Sequence, residues 1–132
     1  MQGRGEQGIK KFFKERIMEY DLILHLDSAE ESLLRMCLRN AGNYYKALPD
    51  EHFELVLVAN GGGVKHFARD TPELKNWAAE LADRGMKIKV CANAMAEHGI
   101  KAEDLWPFCE VVPAGLVAII DLQNLGYSYV KP

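Results

Sequence analysis

Three short, strongly apolar runs constrain this chain more than any other feature: 20–27 (YDLILHLD), 53–60 (FELVLVAN) and 86–92 (MKIKVCA). Each has the length of a strand and is rich in branched residues. In the first two the apolar character covers both parities, as a strand buried on both faces of a parallel sheet requires. Two weaker runs, VVP at 111–113 and YSYV at 127–130, extend the series. Between the runs the apolar period changes to that of a helix. In the first such stretch Leu34, Leu38, Ala41, Tyr45 and Leu48 recur at three- and four-residue steps, with Ser28 and Glu31 spaced as a capping box. The second starts at Thr71, a capping hydroxyl followed by Pro72 at the first helical position, and stops at Gly85, with Leu74, Trp77, Ala78 and Leu81 as its inner stripe. A third, from Ala114 to Leu125, carries Leu116, Val117, Ile119 and Ile120 and ends at Gly126. This alternation predicts an α/β fold, a mostly parallel, doubly wound sheet of about five strands with helices on both faces.

A chain of 132 residues with 48% hydrophobic content can bury one well-packed core, so residues 18–132 are expected to form a single domain. Residues 1–17 start Gly-rich and turn basic. They read as a flexible arm or a short surface helix, and Met18 is an alternative start. Phe12 and Phe13 lie among the basic residues of Lys10 to Arg16, which suits contact with a membrane surface, but the segment is short for that purpose. A net charge of −3 provides no basic field for a nucleic-acid backbone. No apolar run approaches the roughly 20 residues of a membrane span and no export signal is visible, so a cytoplasmic protein is expected.

In open parallel sheets, ligands gather beyond the carboxyl ends of the strands, where loops and helix starts converge. Three segments fall there: 25–28, 60–65 and 91–95. Cys91 ends the third strand just before Ala92-Asn93-Ala94-Met95, which reads as a helix opening capped by Asn93. A thiol at such a position has its thiolate favoured by unpaired N–H groups. The same position also suits a small apolar core residue, and both readings stand on spacing alone. Asn60, Gly61, Gly62 and Gly63 follow the second strand; their backbone either binds an anion or meets a steric demand. This segment matches no nucleotide-binding pattern. His25 lies near the end of the first strand and would approach Cys91 if the two strands were adjacent; a core role is the alternative. Asp27, at the same end, is either a pocket residue or part of a turn.

The other histidines, His52, His66 and His98, show no ligand spacing and read mostly as surface residues. No metal and no organic cofactor is expected. The three cysteines are odd in number and widely spaced, which argues against a disulfide framework and for a reducing compartment. Cys37 reads as a buried helix residue. Cys109, before the fourth strand, is a candidate resolving thiol with nothing in the sequence to bring it near Cys91. Tyr44, Trp106, Phe108, Tyr127 and Tyr129 exceed what so small a sandwich readily buries, which points to an interface.

Taken jointly, HLD in the first strand, NGGGVK after the second, VCANAM with Gly99-Ile100, VPAG at 112–115 and QNLGYSYVKP at 123–132 resemble the DsrE/DsrF-like family from about Tyr20 to the C-terminus. The resemblance implies a three-layer α/β/α domain of the DsrEFH type that forms homo-oligomers, in a group where some members carry sulfur as a cysteine persulfide. Cys91 in VCANAM matches the carrier position of those members. The chain lacks the second cysteine near the C-terminus that some sulfur-relay members use.

The function expected on this basis is a sulfur carrier that accepts a persulfide on Cys91 and hands it to a thiol- or persulfide-bearing partner protein, with Asn60, Gly61 to Gly63 and Asn93 as anion donors. A sulfurtransferase activity is the corresponding enzyme class. The alternative is a binding module in which Cys91 is only part of the wall.

Overall fold

The structure is a computed structural model that describes residues 19–132, so the expectations for residues 1–17 and Met18 lie outside the described residues. Its elements run β1 (Leu22–Leu26), α1 (Glu31–Ala47), β2 (Leu55–Ala59), a 3-10 segment (Gly61–Ala68), α2 (Pro72–Asp83), β3 (Lys87–Cys91), α3 (Ala92–Glu97), a 3-10 turn (Ala102–Asp104), β4 (Cys109–Val112), α4 (Gly115–Asn124) and β5 (Ser128–Val130). The five strands form one sheet in the order β4-β3-β2-β1-β5, and every neighbouring pair is parallel.

That order explains how the helices are distributed. From β1 to β4 the chain steps across the sheet in one direction. Crossovers of constant hand therefore put α1, α2 and α3 on the same face. The return from β4 at one edge to β5 at the other reverses direction, and α4 lies on the opposite face. The side chains follow. Leu22, Leu24, Leu26, Leu55, Leu57, Ile88 and Val90 join Leu34, Leu38, Ala41, Leu74, Ala78 and Leu81 in the larger core. Ile23, Val56 and Val58 meet Ile119, Leu122 and Tyr127 in the smaller one.

The three layers are thus unequal, and the single helix α4 leaves its own outer side bare. Leu116 is 63% exposed, and Val117, Ile120 and Leu125 are exposed with it. The sequence pattern suggests that the apolar surplus falls on five aromatic residues. Instead Trp106 and Tyr127 are buried, Tyr44 and Phe108 pack half-buried against the larger core, and Tyr129 alone is exposed. Counting aromatics misplaces the surplus because the helix return over only one face is not visible in the sequence.

Several local details also differ. Helix α1 starts at Glu31 behind Glu30, and Ser28 accepts the Glu30 N–H at 3.1 Å instead of capping the helix. Thr71 and Pro72 do occupy the N-cap and first turn of α2, although the Thr71 hydroxyl makes no capping bond. Cys109 is the first residue of β4 and pairs with Ile88.

His66 is 1% exposed, contrary to the surface role expected of it. Its Nε2 lies 2.7 Å from the Ser28 carbonyl, which can only accept, so Nε2 carries the proton. Nδ1 then accepts from the Arg69 guanidinium at 3.3 Å, and Arg69 also donates to Ala29 O at 3.2 Å. The Trp106 indole donates to Arg69 O at 3.0 Å. These bonds fix the loop after β1 to the 3-10 segment after β2, so two of the strand-end loops form one unit.

Candidate functional site

Register places the candidate residues before any side chain is considered. Ala59 pairs with Val90, so one residue further Asn60 stands level with Cys91. Leu26 pairs with Ala59, which sets Asp27 level with Asn60. Because side chains alternate along a strand, Ile23 and His25 point to the α4 face, as do Val58 and Asn60 on β2. Tyr129 pairs with Ile23 and shares that face.

Helix α4 closes the arrangement. A Cβ built on Gly115 would lie 3.0 Å from Asn60 Cβ, 3.3 Å from Cys91 Cβ and 3.6 Å from Val58 Cγ1. Asn60 and Cys91 therefore flank the first turn of α4, and the absence of a side chain at Gly115 is what lets them. Cys91 is also the N-cap of α3, in extended backbone conformation with no side-chain capping bond. Two helix starts, with the unpaired amides of their first turns, thus meet at this cysteine. Asn93 does not cap. It lies exposed in the first turn of α3, because the extended strand conformation ends at Cys91 rather than two residues later.

His25 does not reach Cys91, since β2 lies between β1 and β3. It contacts Asn60 instead, with Nε2 2.8 Å from Asn60 Oδ1, while its Nδ1 is 2.5 Å from the Tyr129 hydroxyl. The carboxamide oxygen can only accept, so Nε2 donates to it and Nδ1 accepts from Tyr129. A directed chain, Tyr129 to His25 to Asn60, results. The sequence marks Tyr129 as a strand residue, a surplus aromatic and part of a family motif, and Gly115 only as part of such a motif. Neither role is visible without knowing that β5 lies beside β1 and that α4 returns over β2 and β3.

Asp27 is held by Lys131, whose ammonium lies 2.9 Å from Oδ2 and keeps the carboxyl below its usual range. The glycines have a steric explanation. A Cβ on Gly63 would lie 2.2 Å from Leu26 O, one on Gly62 3.2 Å from Ala29 N, and one on Gly61 3.2 Å from Asp27 O. The loop is packed against the end of β1, and this packing accounts for glycine at each position.

The three cysteines are free; Cys37 and Cys91 are buried and Cys109 is half-buried. Burial pushes the thiols of Cys37 and Cys109 up to about 12, which holds them protonated. Cys91 is buried too, 6% exposed, as the last residue of β3. Cys109 cannot resolve it in place. The partner of Cys109 is Ile88, three residues before Cys91, so the offset along the strand is about 10 Å, beyond the roughly 7 Å limit between Cα atoms for a disulfide. Among the described residues no group of three or more His, Cys, Asp or Glu side chains is arranged to hold a metal ion. No described helix is long and apolar enough to cross a membrane.

Fold and site together define a class: a parallel α/β protein with one cysteine at the convergence of strand ends and helix starts. The sequence pattern of the DsrE/DsrF-like family matches residues 22–132, and the chain belongs to that family. At the level of the family this is a sulfur-relay-type fold. Among solved structures, a protein of unknown function from Methanobacterium thermoautotrophicum, MTH1491, is 28% identical, with a TM-score of 0.79 over 86% of this chain and 99% of that one. The ychN protein from E. coli shares the fold at 15% identity, TM-score 0.69, over 86% of this chain and 99% of its own. A conserved protein of unknown function from Bacteroides thetaiotaomicron, BT1422, does so at 20% identity, TM-score 0.62, over 85% and 95%. No curated protein matches the chain.

Proposed function

We propose that this protein is a sulfur carrier that holds sulfur as a persulfide on Cys91. The observation that carries the reading is the position of Cys91: it ends β3 level with Asn60, is the N-cap of α3 and lies against the first turn of α4 at Gly115. In the forward step the Cys91 thiolate attacks the terminal sulfur of a donor R–S–SH. A Cys91–S–SH bond forms, the donor S–S bond breaks, and the donor leaves as R–S⁻. An acceptor thiolate on a partner protein then attacks the same terminal sulfur and returns Cys91 as thiolate. Both steps are exchanges between sulfur atoms, so no external oxidant, metal or cofactor is needed.

A thiol this closed favours a slender donor such as inorganic polysulfide. The amides at the helix starts and the Asn60 N–H groups offer donors to the bound hydrosulfide sulfur. A reducing, cytoplasmic setting suits three free cysteines. The bare apolar side of α4, with Val130 exposed on the edge strand, supports a homo-oligomer in which a second copy covers Leu116, Val117 and Ile120.

The test is intact mass after incubation with polysulfide and removal of excess reagent. One added sulfur on the wild type, absent from Cys91→Ser, is expected. No adduct, or an adduct that persists in Cys91→Ser, refutes the carrier. The second reading is a binding module whose wall includes the cysteine, favoured by the low exposure of Cys91; it predicts that Cys91→Ala keeps full affinity for its ligand.

A further inference from the structure

Building on the carrier reading, we infer that His25 and Tyr129 are positioning residues that aim the Asn60 carboxamide at the sulfur on Cys91. Asn60 ends β2, with β1 on one side and β3 on the other. Its oxygen is turned to the β1 side by the 2.8 Å bond from His25 Nε2. A planar carboxamide whose oxygen is fixed on that side has its NH2 group turned away from it. Among the described residues no acceptor takes those N–H groups. Cys91 is the neighbour on the far side, level with Asn60, and both residues flank Gly115.

Left alone, an asparagine at a strand end can flip its amide and present either oxygen or N–H to its neighbour. The oxygen would repel a thiolate or a hydrosulfide anion, whereas the N–H stabilises it. His25 settles the orientation only while its Nε2 is the protonated nitrogen, and the Tyr129 hydroxyl, donating to Nδ1 at 2.5 Å, holds that tautomer. The tilted packing of the two rings, 5.6 Å between centroids, keeps His25 in place. A tyrosine on the edge strand β5 thereby reaches a cysteine two strands beyond β1. It does so without touching it.

The experiment compares alkylation of Cys91 by iodoacetate and by iodoacetamide, which are close in shape and differ in charge, with the modified site read by peptide mass. A donor amide beside the thiol favours the anionic reagent, so the iodoacetate to iodoacetamide rate ratio reports its aim. General loosening of the site changes both rates together and leaves the ratio unmoved. Asn60→Ala is expected to lower the ratio by about threefold or more, and Tyr129→Phe to lower it in the same direction through loss of one hydroxyl. The double variant should fall no further than Asn60→Ala alone. His25→Leu removes both bonds and serves as the second variant, with the same fall expected, should Tyr129→Phe not fold.

An unchanged ratio in both Tyr129→Phe and His25→Leu overturns the inference. So does an additional fall in the double variant, since the tyrosine would then act by another route. Failure of either reagent to label Cys91 overturns it as well. Sulfur uptake on Cys91 with an unchanged ratio removes the positioning role and leaves the carrier; a ratio that falls as expected without sulfur uptake removes the carrier and leaves the positioning role.

Discussion

Gly115 lies so close to Cys91 that a Cβ built on it would stand 3.3 Å from the cysteine Cβ, and 3.0 Å from that of Asn60. The first turn of α4 can approach the strand ends only because this residue has no side chain. Gly115→Ala must therefore displace the helix start or the two residues it touches by a few tenths of an ångström. The expected outcome is a loss of about 1–3 kcal/mol in stability from overpacking, accompanied by several-fold slower sulfur uptake on Cys91. Urea unfolding and timed intact-mass measurements check both. Uptake at the wild-type rate would show that the contact does not shape the site.

On the carrier reading, a persulfide on Cys91 is not resolved by Cys109, which is offset by three residues on the neighbouring strand and whose thiol is held protonated, pushed up to about 12. Sulfur-loaded protein kept without an acceptor thiol is expected to retain its extra sulfur and form no Cys91–Cys109 disulfide. Cys109→Ala should load and unload at the wild-type rate. A mass two units below that of the reduced chain, lost in Cys109→Ala, would overturn the expectation.

His66 is buried, and burial holds its imidazole below the ordinary value of 6.5. The unfolded chain takes up the proton first as the pH falls, so stability linked to His66 is complete above 6.5 and decreases below it, until the folded imidazole is itself protonated. His66→Gln keeps an N–H for the Ser28 carbonyl but cannot titrate. Its urea midpoint should fall less steeply than that of the wild type as the pH is lowered from neutrality to about 5. Parallel pH profiles for the two proteins would rule out this account.

Two glycines are expected to respond in opposite directions to the same change. A Cβ on Gly63 would meet the Leu26 carbonyl oxygen at 2.2 Å and its carbon at 2.8 Å, and both are backbone atoms that cannot swing aside. Gly63→Ala is expected to cost about 3 kcal/mol or more. Gly42 lies inside α1 with nothing within 4 Å of a Cβ, so Gly42→Ala is expected to stabilise by roughly 0.5–1 kcal/mol. Thermal melting of the two variants beside the wild type decides the matter, and a stable Gly63→Ala would mean that the loop sits further from β1.

Runs such as LILHL and LVLVA state their surroundings in their own composition, since a continuous apolar strand is stable only with both faces covered. The parallel sheet, the helix between Thr71 and Gly85 and the place of Cys91 at a strand end were legible for that reason: each depends on neighbours in the chain. The alternation of helix and strand does not reveal the order of strands, and that order decided the rest. It put β2 between His25 and Cys91, brought Tyr129 to His25, and returned the chain through a single helix, leaving Leu116 and Ile120 uncovered. Burial of His66 likewise required the Ser28 carbonyl, 38 residues away, which no local pattern can supply. Local chemistry determines which segments become strands and helices, whereas contacts between segments distant in sequence are set by how the sheet is assembled.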